Sequence, residues 1–497
     1  MCVPVVAAAI TGSIAVAGTA GSVLSAADAP FDPRRPPERE LETSIAGRFT
    51  VAAVGDCIIT VPLAPFLESD PGFARTVAIL RDADVAFGNF ETTAIDLDRF
   101  KGHPHPGKDD WALVSAPRVA KDLRTFGFDL LSRANNHALD WGVEGMRETS
   151  RWLDEAGLVH AGAGESRAAA RAPRYLETPA GRVALVSMAS SYSESADALP
   201  PSGRAPGRPG ISAVRVTRTT IVTAPMMRAL AGLKTSLDAV GGRCGGYPAP
   251  ETAPGTTPSP GTTPSPPPDL ELFETRFRLG DRPEFHYEID PTDLDEILKA
   301  MRLGKQHSDF LIATIHAHET AIDCDQPGDF LPLLARAAID AGADAFFVHG
   351  AHLLGPVEIY QGKPILYGLG NFFWSDIVEP LSADIHEQSR DLLTSALGDP
   401  AKATDADLNA LINTIAFNDE RIFQSVIAVG RWQDGRLTEL RLHPVDLRYG
   451  ERLTRSGLPR LAPPAAARAI LDRVQRLSQP FGTTLVIVRN VGVIRLP

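Results

Sequence analysis

The feature that most constrains this chain is a repeated one. Short apolar runs each end in polar side chains of the kinds that bind metal ions. "FTVAAVGDCII" presents Asp56, and "DVAFGNFETT" carries Asn89 and Glu91. "FDLLSRANNH" ends in Asn135, Asn136 and His137, and "SDFLIATIHAHE" in His316, His318 and Glu319. "ADAFFVHGAHLLG" carries His349 and His352. Short runs that are nearly continuously apolar read as strands buried on both faces. Between them, "PGFARTVAILRDA", "APRVAKDLRTFG", "WGVEGMRETSRWLDEAG" and "DFLPLLARAAIDAG" have helical spacing. The alternation predicts an α/β domain. Ligands of open α/β sheets bind beyond the carboxyl ends of the strands, so all five polar groups can converge on one edge.

Carboxylate, amide oxygen and imidazole form the donor set of Zn, Mn or Fe(II), and no thiolate is required. Each group alone has a plainer reading. Gly-Asp after a strand is a common turn, Asn89 with Glu91 fits a loop and helix start, and strand-end histidines cap backbone groups. Five such groups in order are better explained by a shared metal site. Asn135 is expected to support its turn. Asp140 has two readings: it orients His137, or, as the favoured alternative, it N-caps the next helix.

Composition narrows the partners. Hydrophobic residues make up 44% of 497, enough for a sizeable core. A net charge of -12 argues against nucleic acid as a partner and against a general anionic membrane surface. An acidic chain still takes an anionic polymer or a small anionic substrate where metal ions supply the positive charge. Cys2, Cys57, Cys244 and Cys324 form no C-x-x-C pair, which excludes a zinc ribbon or thioredoxin-type site. A single disulfide such as Cys244–Cys324 stays open.

Residues 1–28 are small and apolar and read as a signal peptide that lacks a basic start, with a disordered Ala/Gly-rich tail as the alternative. A working signal implies an extracytoplasmic protein, secreted or associated with the cell envelope; without it the chain stays cytoplasmic. Residues 29–46 read as a linker, and 47–379 as the main domain. Within it, 247–269 is a Pro/Thr/Ser-rich insertion carrying GTTPSP twice. Residues 380–497 form a packed C-terminal α+β extension, with a hairpin turning at Asp434-Gly435.

The motifs "AVGDCII", "FGNFETT", "LSRANNHALDWG", "TIHAHE" and "FFVHGAHLLGPVEIYQGKPILYGLGNFFW" resemble the CapA family of bacterial capsule and poly-γ-glutamate biosynthesis proteins. The resemblance covers about Phe49 to Trp374. It implies a metallophosphatase-like sandwich of two mixed β-sheets flanked by helices, holding one or two divalent ions (Mn, Zn or Fe). It further implies metal-dependent hydrolase or transferase-like activity, alongside membrane-associated capsule machinery. A phosphoesterase, or a polymer-anchoring protein without catalysis, is the alternative. By the resemblance one metal sees Asp56, Glu91 and His352, and the other sees Glu91, Asn136, His316 and His349. His137 becomes the acid that meets the substrate oxygen. Asn89, Asn135, Asp140, His318, Glu319 and Asn371 are supporting residues or further ligands. Two departures stand out: Ile58 replaces a ligand histidine, and Glu91 replaces the bridging aspartate. His318 or Glu319 is the substitute for the missing ligand.

Overall fold

The computed structural model describes residues 41–105, 111–240, 266–375 and 378–496. The segment read as a signal, most of the Pro/Thr/Ser-rich insertion, and Cys2 and Cys244 lie outside them. The first apolar run becomes the strand Arg48–Ile58, which is almost entirely buried. It pairs in parallel with Val85–Phe90, which pairs with Leu130–Ser132 and then Val159–Ala161. On its other edge it meets two partners in succession. Residues Arg48 to Ala53 pair antiparallel with Gln424–Gln433, and Asp56 to Ile58 pair in parallel with Asn371–Trp374. The result is a mixed sheet of ten strands. A mixed six-stranded sheet is built around Phe310–Ala317, with Gly181–Ala189 on one side and Ala345–Gly350 on the other.

The two sheets share a core. Phe49, Val51 and Phe87 from the first pack with Val183, Ile312 and Phe347 from the second. Phe49 lies 5.2 Å from Phe310, and Phe310 lies 4.9 Å from Trp432, ring centre to ring centre. Burying each such ring contributes on the order of 2–3 kcal/mol. The outer face of the ten-stranded sheet is covered by helices Pro71–Arg81 and Arg118–Phe126, through Phe73, Val77, Leu123 and Phe126. Helices Pro291–Gln306 and Phe330–Asp340 cover the other sheet, through Ile297, Met301 and Leu334. The chain is therefore a mixed α/β protein in four layers.

The helices follow local signals. Asp70 accepts hydrogen bonds from the amides of Gly72 and Phe73, and Asp290 from those of Thr292 and Asp293, each ahead of a first-turn proline. Gly127 and Gly157 leave their helices with positive φ. The expected hairpin turns at Asp434 and Gly435, both left-handed, between Gln424–Gln433 and Arg436–Asp446. One expectation fails. The helix Gly142–Glu155 is not capped by Asp140; it starts after Trp141 without a side-chain cap. Asp140 is engaged elsewhere.

Candidate metal centre

The strand register brings the donors together. Asp56 pairs with Asn89 across one strand boundary and with Asn371 across the other. His316 pairs with His349 across the second sheet. Five polar side chains thus sit at matched heights on adjacent strand ends, where the two sheets meet. Gly55 makes this possible. A Cβ there would lie 1.8 Å from the Gly370 carbonyl oxygen, which accepts a hydrogen bond from the Asp56 amide at 3.0 Å.

Asn89 is the hub. Its amide nitrogen lies 2.9 Å from Asp56 Oδ1 and 3.1 Å from Glu91 Oε2, joining two buried carboxylates. Asn135 holds Asn89 in turn: its Nδ2 donates to Asn89 Oδ1 at 3.1 Å and to the Phe90 carbonyl at 2.9 Å. The His137 amide donates to Asn135 Oδ1 at 3.2 Å. Asn135 is therefore the brace of its turn, as expected.

The imidazoles close around the carboxylates. His349 Nδ1 and His352 Nδ1 each lie 3.4 Å from an Asp56 oxygen, and His316 Nδ1 lies 3.2 Å from His349 Nδ1. His316 Nε2 lies 2.9 Å from His318 Nε2 and 3.7 Å from Glu91 Oε1. Three donor groups result: Asp56 with His316 and His349; Glu91 with His316 and His318; and Asp56 with Glu91 and His352. The third is the first set the resemblance implied. The second implied set divides: His349 stands with Asp56, and His318 stands with Glu91. His318 lies one residue past the end of the strand Phe310–Ala317, and its ring stays 4.8 Å from that of His316, centre to centre. Glu319 does not join them. It accepts from the hydroxyls of Ser190 at 2.6 Å and Ser191 at 2.9 Å. Asn371 Oδ1 lies 2.9 Å from His352 Nδ1, where it orients the ring. His352 itself has φ 57°, an uncommon conformation for a non-glycine residue.

The donor set fits a divalent cation. Ligands held at about 2.0–2.1 Å in a tetrahedron stand about 3.3 Å apart, close to the separations seen here. His349 Nε2 is buried and has no hydrogen-bond partner among the described residues. Burial alone would raise the Asp56 carboxyl, but hydrogen bonds and charge from His349 and His352 hold it well below the usual range. Burial pushes His316 well below the ordinary imidazole value, and the nearby histidines add to this, so it is neutral and available as a donor. Burial, with Asp56 and Glu91, pushes the Cys57 thiol well up from its ordinary value.

His137 stands beside this centre. Its Nδ1 lies 2.8 Å from Asp140 Oδ2, and the same oxygen accepts from the Leu113 amide at 2.7 Å. His137, Asn136, His318 and His352 line one large cavity of about 1380 Å³. Ile58 lines it as well. Sequence reading missed the cavity's far wall, which comes from Ile412, Asn413 and Phe417 of the C-terminal region. No local signal tied those residues to strand ends three hundred positions earlier.

Fold and site together define an α/β protein with a buried carboxylate–histidine centre suited to a metal, open to a cavity. The family described as bacterial capsule synthesis protein PGA_cap matches residues 50–375. The chain belongs to that family. Two proteins of Sinorhizobium fredii (strain NBRC 101917 / NGR234), both designated uncharacterized, are 43% identical over 464 residues, covering 91% of this chain and 94% of each of them. The PGA biosynthesis protein CapA of Bacillus subtilis (strain 168) is 26% identical over 304 residues, covering 61% of this chain and 57% of that protein.

Proposed function

We propose that this protein is a metal-dependent hydrolase, or a transferase-like enzyme, that acts in the assembly or processing of a capsule or poly-γ-glutamate-type polymer. The observation that carries the proposal is the cluster of Asp56, Glu91, His316, His318, His349 and His352 at the edge of an open cavity. The fold is proposed to be of the metallophosphatase-like kind, with Mn, Zn or Fe held by those residues and Asn136. A divalent ion bound there would supply Lewis acidity and neutralise negative charge. Asp56 and Glu91 hold the ion, with Asn89 fixing their separation. His316, His349 and His352 complete the donors, and His318 serves in place of the histidine that Ile58 replaces. His137 Nε2 donates a proton to the departing oxygen or nitrogen, while Asp140 at Nδ1 fixes the tautomer and stabilises the charged ring. The envelope is the proposed location, and an anionic polymer or small anionic compound the proposed substrate. None of the described helices is long and apolar enough to cross a membrane.

Ile58 favours a second reading. An apolar side chain at a ligand position fits a protein that anchors polymer without turnover. Assays of the Mn-loaded chain on γ-glutamyl amides and on phosphodiesters separate the two. Turnover of either, lost in His137→Ala, supports the enzyme. Bound metal with no turnover of either supports the anchor.

A further inference from the structure

The cavity beside the metal centre has two unlike ends. At the centre it presents imidazoles and the Asn136 amide. Away from it runs a chain of rings. His352 meets Trp374 edge to face at 5.0 Å, Trp374 meets Phe417 at 5.0 Å, and Phe417 meets Trp111 at 6.2 Å. Ile58, Val378 and Ile412 extend the same apolar wall. Among the described residues, the wall therefore reaches His352 of the donor cluster without an intervening charge.

Charge along the cavity is equally uneven. Among the described residues, Arg421 is the only lysine or arginine in the lining, beside Glu194 and Asp419. Arg421 is already matched. Its Nε and Nη2 donate to Asp419 at 2.7–3.1 Å, and its Nη1 donates to Asp325 at 2.9 Å. This cation ties the C-terminal wall to the loop that carries Asp325 instead of facing the cavity as a free charge. A polyanion lying along such a wall would find no unmatched lysine or arginine among the described lining residues, and its desolvation would go uncompensated there.

From this we infer that the cleft takes a substrate with one anionic or polarised head at the metal centre and an uncharged apolar body along the ring wall: a polymer end or small anion joined to an alkyl or aryl carrier. A run of free carboxylates is excluded from the wall. The inference rests on the metal-centre reading and names the substrate class of that same site. Apolar contact with Trp111 and Phe417 gives the affinity, and the centre gives the orientation.

Phosphonates separate these ideas, because they bind metals and are not hydrolysed. The full chain is first titrated with Mn alone by calorimetry, and then, Mn-loaded, with methylphosphonate, phenylphosphonate and a γ-linked glutamate oligomer. Phenylphosphonate is expected to bind at least tenfold more tightly than methylphosphonate, and Phe417→Ala or Trp111→Ala to remove most of that advantage. Equal affinity for the two phosphonates in the wild-type chain, or tighter binding of the glutamate oligomer than of phenylphosphonate, overturns the inference while leaving the metal centre standing. Failure to bind Mn at the first step overturns the metal reading, and this inference with it. The wild-type comparison decides even if either variant does not fold.

Discussion

His137 Nδ1 and Asp140 Oδ2 lie 2.8 Å apart, with both side chains nearly buried. One carboxylate oxygen holds the imidazole and also accepts from the Leu113 amide. The pair faces a cavity, next to a donor cluster that suits a divalent ion, which is the arrangement that the acid role proposed for His137 requires.

Replacing Asp140 with Asn tests that pairing. The amide keeps the size but removes the charge that stabilises a protonated ring and selects its tautomer. With metal content unchanged, kcat on any accepted substrate should fall by about 10²- to 10³-fold. Steady-state kinetics with elemental analysis on the same sample checks it. An unchanged kcat would assign Asp140 to the Leu113 turn alone.

Gly55 tests the backbone approach that positions Asp56. A methyl group there meets the Gly370 carbonyl oxygen at 1.8 Å, and backbone cannot swing aside as a side chain can. Gly55→Ala should destabilise the chain by roughly 3 kcal/mol or more. A shift in the urea midpoint at constant m-value reads this, and an unshifted midpoint would refute the close approach.

His443 gives a pH signature away from the site. Burial, helped by the charges of Arg441 and Arg431, lowers its pKa to about 4. The unfolded chain, with an ordinary imidazole near 6.5, therefore binds more protons between those values. The stability from keeping this ring neutral is complete above pH 6.5 and drains away as pH falls toward 4, by up to about 3 kcal/mol. His443→Gln should flatten the stability profile in that window. A variant with the same pH slope as the wild type would show that other groups set it.

The strand-end residues were legible because chemistry and pattern coincide there. An unbroken apolar run followed by aspartate or histidine marks both a buried strand and its open end. His316 and His318 stand out as an H-x-H cluster at a strand end from spacing alone. Asp140 was misjudged because an acidic residue just before a helix ordinarily caps it. Its true partners include the Leu113 amide, which no local rule connects to it. How the donors divide between ions is likewise not legible from single strands. Whether His349 or His318 stands beside Glu91 depends on how the second sheet lies over the first. Phe417 carries no signal at all, since its place in the cavity wall depends on contacts with Trp111 and Trp374.

The central claim is that Asp56, Glu91 and the surrounding histidines hold a metal. The measurement that tests it most directly is the metal content of the full chain after exposure to Mn and gel filtration, compared with His316→Ala. His316 belongs to two of the three donor groups, so its loss should lower the metal content, leaving only Asp56, Glu91 and His352 as a complete group. At least one ion is expected per wild-type chain and clearly less in the variant, with the circular dichroism of both unchanged. Equal metal content in the two proteins, or none in the wild type, would contradict it.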